Sequence, residues 1–275
     1  MNSICFGLVV FGMFLSMICL ASSKSDKKDD FTWSEQYGYS RASFNVGENW
    51  GFIILPAKEK IRKSMPWVWY APTFKDVLPS ESNSWIGKRL LAEGIAICGM
   101  DIGESYGNPQ GRASYTEFHK YIVRKFKLSK KACLWAQSRG GLMLFNWASE
   151  HPDLVKCIGG TYPVCDIASY PGIAGACSAY GMTESELQSH LKEHDPIDRL
   201  APLASHKIPV LLIHGDDDSV VPLERNTAEF ARRYQALKGP VELEIIKGKG
   251  HAEIPEFFES DKFINFFIRQ ATNRK

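Results

Sequence analysis

The sequence predicts an α/β protein in which a mostly parallel sheet is flanked by helices. Short apolar runs of strand length alternate with segments of helical periodicity along most of the chain. A serine, an aspartate and a histidine each follow the end of a predicted strand. In a parallel sheet these strand ends share one edge, where sites assemble. The 275 residues, 44% of them hydrophobic, suffice for one large core.

The predicted elements follow one another in a regular order. Residues 31–57 alternate polar and apolar side chains, which is typical of an antiparallel pair of strands. Further along, short apolar runs indicate strands, and apolar residues at helical spacing indicate helices. The predicted strands are 67–71, 95–99, 132–136, 155–161, 208–214 and a strand that begins at 241. The predicted helices are 85–91, 115–127, 141–149, 222–237 and 255–272.

Residues 162–207 interrupt this alternation, and we expect them to form a small lid insertion over the site. A capping box at 183–186 predicts the start of a short helix. Residues 190–194 follow as His-x-x-Glu-His, a spacing with which metalloproteases place two histidines on one helix face to bind zinc. Because no third ligand is evident, we interpret this segment as a hydrophilic lid helix. We expect neither a metal nor another cofactor.

The N-terminal residues predict export. Residues 4–20 are apolar and small residues follow, so we interpret residues 1–23 as a secretory signal peptide, with an uncleaved anchor as the alternative. Residues 24–30 carry mixed charges, which is typical of a solvated linker. Residues 31–275 would then form the folded domain, secreted or periplasmic, with no stable membrane span after cleavage.

The net charge bears on nucleic-acid binding, and the cysteine positions bear on disulfide formation. A formal net charge of only +2 predicts no nucleic-acid footprint. Cys98, Cys133 and Cys157 lie in apolar strand-like runs and predict buried thiols. Cys165 and Cys177 flank a loop and could pair in an oxidising compartment. The sequence indicates no particular oligomeric state.

Ser138 is the candidate nucleophile. It lies in Leu-Trp-Ala-Gln-Ser-Arg-Gly-Gly, between an apolar strand and a helical segment, which is the arrangement of a nucleophile elbow. Such a turn is tight, so the residues two positions before and after the serine must be small, and here they are Ala136 and Gly140. The usual pattern is Gly-x-Ser-x-Gly, so Ala136 is a mild departure. An ordinary strand-to-helix turn is the alternative interpretation.

Two downstream blocks supply an acid and a base. Residues 210–222 begin as an apolar strand and continue as a polar turn with three consecutive aspartates. Residues 241–251 form an alternating strand that ends in a glycine-rich loop with a histidine at its tip. The chain order serine, aspartate, histidine is that of α/β-hydrolases and differs from the orders in chymotrypsin and subtilisin.

Residues 214–222, His-Gly-x-x-Asp-x-x-Val-Pro, resemble the acid-bearing loop of α/β-hydrolase-fold serine hydrolases, including the prolyl oligopeptidase and carboxylesterase branches. The pattern selects Asp218 over its two neighbouring aspartates. His251, preceded by glycine, matches the family's catalytic histidine. The resemblance extends from about residue 67 to the C terminus. It implies an α/β-hydrolase fold with Ser138, Asp218 and His251 as the catalytic triad.

The resemblance also implies donors for the oxyanion of the tetrahedral intermediate. One is the backbone N–H of Arg139, directly after the nucleophile. The second normally comes from the loop after the strand 67–71. Because Pro72 has no N–H, Ala71, Thr73 or the Tyr70 hydroxyl could serve. A tyrosine hydroxyl has this role in prolyl oligopeptidase relatives, and a core aromatic is the alternative for Tyr70.

Glu104, Tyr106 and Arg139 are the candidate substrate-binding residues. Glu104 and Tyr106 lie in a glycine-rich loop that follows a strand at the same sheet edge, although a plain loop with a helix cap is the alternative. Arg139, beside the serine, could attract an acidic group of a substrate or form a structural ion pair.

These residues predict an exported serine hydrolase that cleaves carboxylic esters, with acylated or methyl-esterified glycans as the substrate class that analogy suggests. A serine peptidase of the prolyl oligopeptidase type is the second hypothesis. The segment ahead of the sheet is too short for a β-propeller, since one blade alone needs about 40–50 residues. A non-catalytic binding protein on a hydrolase scaffold is the third hypothesis.

Overall fold

The computed structural model describes residues 31–273. The predicted signal peptide (1–23) and charged linker (24–30) lie outside the described residues, as do residues 274–275. Among the helices of residues 31–273, none combines the length and the apolar character that crossing a membrane requires.

A nine-stranded sheet organises the described residues. Its strands are β1 (Thr32–Gln36), β2 (Tyr39–Val46), β3 (Asn49–Ile54), β4 (Trp67–Ala71), β5 (Ala96–Met100), β6 (Ala132–Gln137), β7 (Val155–Thr161), β8 (Val210–Gly215) and β9 (Val241–Ile246). Across the sheet they are ordered β1-β2-β3-β5-β4-β6-β7-β8-β9. The pairs from β1 to β5 along this order are antiparallel, and all pairs from β5 onwards are parallel. The prediction of a mostly parallel sheet is confirmed.

Helices cover both faces of the sheet. They are α1 (Ser84–Ala92), α2 (Pro109–Phe126), α3 (Gly140–Glu150), α4 (Ile173–Tyr180), α5 (Glu184–Ser189), α6 (Leu191–His194), α7 (Ala201–Ser205), α8 (Thr227–Ala236), α9 (Pro255–Phe258) and α10 (Asp261–Thr272). Most buried apolar residues of α2, α3 and α8 belong to one hydrophobic cluster, and those of α1, α9 and α10 belong to another. The predicted two-faced arrangement is therefore present.

Strand β4 shows why both faces must be covered. All five of its residues are buried, and they alternate between the two clusters: Trp67 and Trp69 on the side of α2 and α3, Val68 and Tyr70 on the side of α1 and α10. Trp69 packs against Trp147 with ring centroids 4.8 Å apart. A continuous apolar strand is typical of a parallel sheet with helices on both sides. Truncating one of these tryptophans to alanine would cost about 3–5 kcal/mol.

Several boundaries differ from the prediction for local reasons. The expected lead-in pair consists of three strands, because two turns with left-handed glycines, Gly38 and Gly47, divide it. Helix α2 begins at Pro109, since the Asn108 side chain caps it by accepting from an N–H of its first turn. The predicted final helix is divided in two, because Ser260 caps a second start at α10.

The insertion 162–207 contains α4 to α7. The prediction of a single helix through the His-x-x-Glu-His segment is wrong, because α5 ends before His190 and α6 begins after it. His190 is exposed and its ring bonds the Glu186 carbonyl, whereas His194 is buried beside Tyr180 at a centroid distance of 4.8 Å. The two histidines therefore do not share a helix face. Within residues 31–273 no group of His, Cys, Asp or Glu side chains is arranged to hold a metal.

The five described cysteines are all free thiols. Cys98, Cys133 and Cys157 are buried in β5, β6 and β7, as predicted. The pairing of Cys165 with Cys177 does not occur in this structure. Cys165 is fully buried in the main core and donates to the Pro163 carbonyl, whereas Cys177 donates to the Ala174 carbonyl within its own helix.

Candidate active site

Ser138 lies at a strained turn between β6 and α3. Its φ of 49° is in the left-handed region that non-glycine residues avoid, at a cost of order 1–3 kcal/mol. Three backbone hydrogen bonds hold the turn: the Ser138 N–H donates to Thr161, and the Ser138 carbonyl accepts from Gly141 and Val164. The surrounding structure thus over-determines the conformation that places the hydroxyl at the sheet edge.

The two positions after Arg139 require glycine for steric reasons. A Cβ at Gly140 would overlap the carbonyl oxygen of Ala71, at the end of β4, and a Cβ at Gly141 would overlap the carbonyl oxygen of Val164. The sequence predicted the first requirement and missed the second. This close approach places the first turn of α3 directly beside the segment that follows β4.

The structure brings the three predicted triad residues together. Ser138 Oγ is 2.9 Å from His251 Nε2, and His251 Nδ1 is 2.8 Å from Asp218 Oδ2. With the neutral ring protonated on Nδ1, that N–H donates to the carboxylate and Nε2 accepts from the serine hydroxyl. The imidazole ring also packs on Tyr162 at a centroid distance of 4.2 Å. Tyr162 was not singled out by the sequence, since nothing in its spacing marks it.

Asp218 is held as a buried carboxylate. Its side chain has no exposed surface, and its Oδ1 accepts from the N–H groups of Val220 and Val221 at 3.0 and 2.8 Å. Burial acts to raise the pKa of Asp218, but hydrogen bonds from His214, His251 and the Val221 N–H outweigh it and hold the pKa well below its usual range. The acid is therefore ionised at neutral pH.

Two neighbours of Asp218, His214 and Asp216, form hydrogen bonds that hold the acid loop. His214 is fully buried. Its Nε2 lies 2.8 Å from the Val221 carbonyl, so it carries the proton, and its Nδ1 accepts from the Thr227 hydroxyl at 2.7 Å. Asp216 accepts from the Gly248 N–H at 2.6 Å and so joins the acid loop to the histidine loop.

Comparison with known proteins identifies the family. The prolyl oligopeptidase family model matches residues 114–272, which include all three clustered residues. The chain belongs to the prolyl oligopeptidase family. No curated protein matches it significantly.

Solved structures support the fold of this prolyl oligopeptidase family member. An S-formylglutathione hydrolase from Agrobacterium tumefaciens is similar with a TM-score of 0.69 and 15% identity, over 87% of this chain and 98% of that one. Est1E from Butyrivibrio proteoclasticus is similar with a TM-score of 0.63 and 16% identity, over 89% of this chain and 99% of that one. A putative dipeptidyl aminopeptidase IV from Bacteroides ovatus is similar with a TM-score of 0.67 and 15% identity. The match covers 90% of this chain but only 36% of the Bacteroides chain. The protein is thus an α/β-hydrolase-fold serine hydrolase.

The predicted oxyanion donors of this hydrolase differ in whether they already have a hydrogen-bond partner. Tyr70 is fully buried, and its hydroxyl donates to Gln137 Oε1 at 2.8 Å. The structure therefore contradicts a role for the Tyr70 hydroxyl, because that proton is already committed inside the core. Ala71 belongs to β4 and pairs with β6. The N–H of Thr73 lies beyond the strand end, and the N–H of Arg139 lies at the N-cap of α3, where backbone N–H groups lack intrahelical partners.

The predicted substrate residues lie at the rim, but with their own partners. The Arg139 guanidinium is paired with Glu104 and lies 5.5 Å from the centre of the Phe74 ring. Of the two roles that the sequence left open for Arg139, the structure shows the ion pair. Tyr106 packs against the apolar cluster of the insertion, and its carbonyl accepts from the Tyr180 hydroxyl at 2.9 Å.

A polar network beneath the serine, buried at Tyr70, Asn83 and Gln137 and exposed at Glu253, was not predicted. Gln137 Oε1 accepts from Tyr70 and from the Asn83 amide, and Gln137 Nε2 donates to Glu253. The other oxygen of Glu253 accepts from the Ser82 hydroxyl. These residues are far apart in the chain and are of common types, so no sequence spacing marks them.

Proposed function

We propose that this protein is an exported carboxylic ester hydrolase that uses Ser138, His251 and Asp218 as its catalytic triad. The observation that carries the proposal is the continuous chain of contacts from Oγ to Nε2 at 2.9 Å and from Nδ1 to Oδ2 at 2.8 Å. Nucleophile and base within hydrogen-bond reach, with the base oriented by a third group, is the arrangement that activates a serine.

In the proposed reaction His251 Nε2 takes the proton of Ser138 as Oγ attacks the ester carbonyl. Asp218, ionised and buried, fixes the ring tautomer and stabilises the imidazolium. The backbone N–H groups of Arg139 and Thr73 donate to the oxyanion. His251 then protonates the departing alkoxide, and water repeats the sequence on the acyl-enzyme to release the acid and regenerate the hydroxyl.

The rim favours an uncharged ester. Because Glu104 pairs with Arg139, the charge of the cation beside Ser138 is already compensated, and it attracts a carboxylate less. An acylated or methyl-esterified glycan, whose reacting group is neutral, fits this rim better than a free uronate. Export is supported by the sequence of residues 1–23, and N-terminal sequencing of the mature protein tests it.

The test measures hydrolysis of short p-nitrophenyl esters and of acetylated and methyl-esterified glycans, together with labelling by a fluorophosphonate probe. We expect ester turnover and labelling by the wild type, and neither in Ser138→Ala. Turnover of none of these esters by a labelled enzyme would contradict ester hydrolysis.

A serine peptidase is the second candidate, favoured by the family match over residues 114–272. Aminoacyl-naphthylamides test it, since cleavage of these amides without cleavage of esters would establish the peptidase. The third hypothesis, a non-catalytic binding protein, predicts that the wild type resists the fluorophosphonate probe.

A further inference from the structure

Two segments at the amino ends of the parallel strands carry a concentrated positive charge. Residues 58–65 precede β4, and residues 124–131 precede β6. Nine of these sixteen residues are Lys or Arg and only Glu59 is acidic, which gives a formal charge of +8, whereas the whole chain carries +2. The rest of the chain is therefore net acidic. We call residues 58–65 and 124–131 the basic pole.

The backbone holds the two halves of the basic pole side by side. The Met65 N–H donates to the Lys127 carbonyl at 3.2 Å, and the Ser129 N–H donates to the Met65 carbonyl at 2.8 Å. The Trp67 indole also donates to the Ser129 carbonyl, at 2.9 Å. All nine cationic residues are exposed. The fold thus concentrates like charges whose mutual repulsion opposes folding.

A cavity of about 380 Å³ opens at the basic pole. Four cationic residues line it, Arg62, Lys63, Lys131 and Lys156, together with hydroxyl-bearing residues and the end of α10, and none of its described lining residues is acidic. Lys156 donates to the Asn273 side chain. Within residues 31–273 the other three cations form no ion pair, so their charge is available to an anion.

We propose that the basic pole binds an acidic polysaccharide, one of whose sulfate or carboxylate groups enters this cavity. Runs rich in Lys and Arg are typical of surfaces that bind such polyanions. An anionic membrane is less suited, because Ile61 is the one large apolar side chain exposed on the basic pole, as far as the described residues extend. Single-stranded nucleic acid is also less suited, because the basic pole has a single aromatic residue, Phe126, and that ring is half-buried against the core.

The basic pole and the triad lie at opposite ends of the sheet. The cavity is lined at the start of β6 by Lys131 and Cys133, whereas Ser138 follows the end of the same strand. Six residues of extended strand separate the two ends by about 20 Å. A bound polymer would therefore leave the catalytic entrance open and hold the enzyme beside acidic glycans, whichever bond the triad cleaves.

The test uses the purified protein with heparin as the sulfated probe and polygalacturonate as the carboxylate probe, titrated at low and at physiological salt. The variant Arg62→Gln/Lys63→Gln/Lys131→Gln removes three cations of the cavity. Its control, Lys88→Gln/Lys192→Gln/Lys247→Gln, removes the same charge from exposed sites elsewhere. We expect the first variant to lose at least about tenfold in affinity, with a weaker salt dependence, and the control to change by less than about twofold.

Each result decides the proposal. Binding of either polymer that the first variant loses supports it, and the better probe identifies the anionic group. Equal losses in both variants would reduce the effect to net charge and overturn the proposal. Absence of binding to both polymers at low salt, or tighter binding to phosphatidylserine vesicles or to single-stranded DNA, would overturn it as well. Thermal unfolding and ester turnover show that both variants are folded.

Discussion

Gln137 and Glu253 are joined by a hydrogen bond of 3.2 Å from Nε2 to Oε1, across 116 positions of the chain. Gln137 directly precedes the candidate nucleophile, and Glu253 follows the histidine by two residues. The bond therefore connects the elbow to the loop that presents His251. We expect a contact at this point to help position the candidate base relative to the candidate nucleophile.

Replacing Glu253 should lower turnover more than substrate binding. In Glu253→Ala the histidine loop loses its contacts with Gln137 and with Ser82, and small misplacement of a catalytic group can cost about 10²-fold. We expect kcat to fall about tenfold or more with KM nearly unchanged. Glu253→Gln, which keeps the shape and an acceptor oxygen, should recover most of the rate. An unaltered kcat in Glu253→Ala would show that the bond has no positioning role.

Asp218→Asn should reduce kcat by about 10³–10⁴-fold, since an amide at this place favours the wrong histidine tautomer. Asp217→Asn is the matched control, because Asp217 is exposed and adjacent in sequence. We expect it to retain nearly full activity. Steady-state kinetics on one p-nitrophenyl ester compare the two, and a larger loss in the Asp217 variant would assign the acid differently.

Acid should destabilise the wild type partly through Asp218. Its folded-state pKa lies below the ordinary value of about 3.9, so its stabilising contribution is complete above that pH and is lost as the pH falls towards the lower folded pKa. We expect the free energy of unfolding of the wild type to fall more steeply below about pH 4 than that of Asp218→Asn. Urea unfolding at a series of pH values measures this difference, and parallel curves would contradict it.

Asp195 should behave in the opposite sense. Burial raises its pKa to about 8, against the hydrogen bond that its carboxylate accepts from the Ile167 N–H. Because the folded pKa exceeds the unfolded one, stability decreases as pH rises from about 4 towards 8. Asp195→Asn keeps an acceptor for Ile167 and cannot ionise. We expect it to stabilise the protein at pH above 8 by more than about 1 kcal/mol relative to pH 5, and equal effects at both pH values would refute the raised pKa.

Glu104→Gln should change substrate preference at the rim. The substitution leaves the Arg139 charge uncompensated, so an ester that carries a carboxylate gains an attractive partner. We expect kcat/KM for mono-p-nitrophenyl succinate to rise severalfold relative to p-nitrophenyl acetate, an exposed charge pair being worth about 0.2–1 kcal/mol. An unchanged ratio would show that Arg139 lies outside the path of the acyl group.

The strand ends could be predicted from sequence because Ser138 and Asp218 each follow an apolar run and His251 follows an alternating one, and these patterns have few other interpretations. The same reasoning could not assign Tyr70. A strand buried on both faces contains no polar alternation, so the sequence does not show which face a residue occupies. The single helix predicted over the insertion is wrong because no glycine or proline marks the break at His190, whose ring hydrogen-bonds the Glu186 carbonyl of the preceding turn. The network around Gln137 depends on pairings between distant segments, which one sequence does not record.

The geometry of the elbow also determines which of its positions tolerate amino-acid substitution. The positions of Gly140 and Gly141 admit no side chain, because backbone carbonyls from two other segments occupy that space. Arg139, between them and the candidate nucleophile, pairs with Glu104 and lies over the ring face of Phe74. It is therefore the elbow position at which new substrate preferences can be selected, by evolution or in a library, without remodelling the turn.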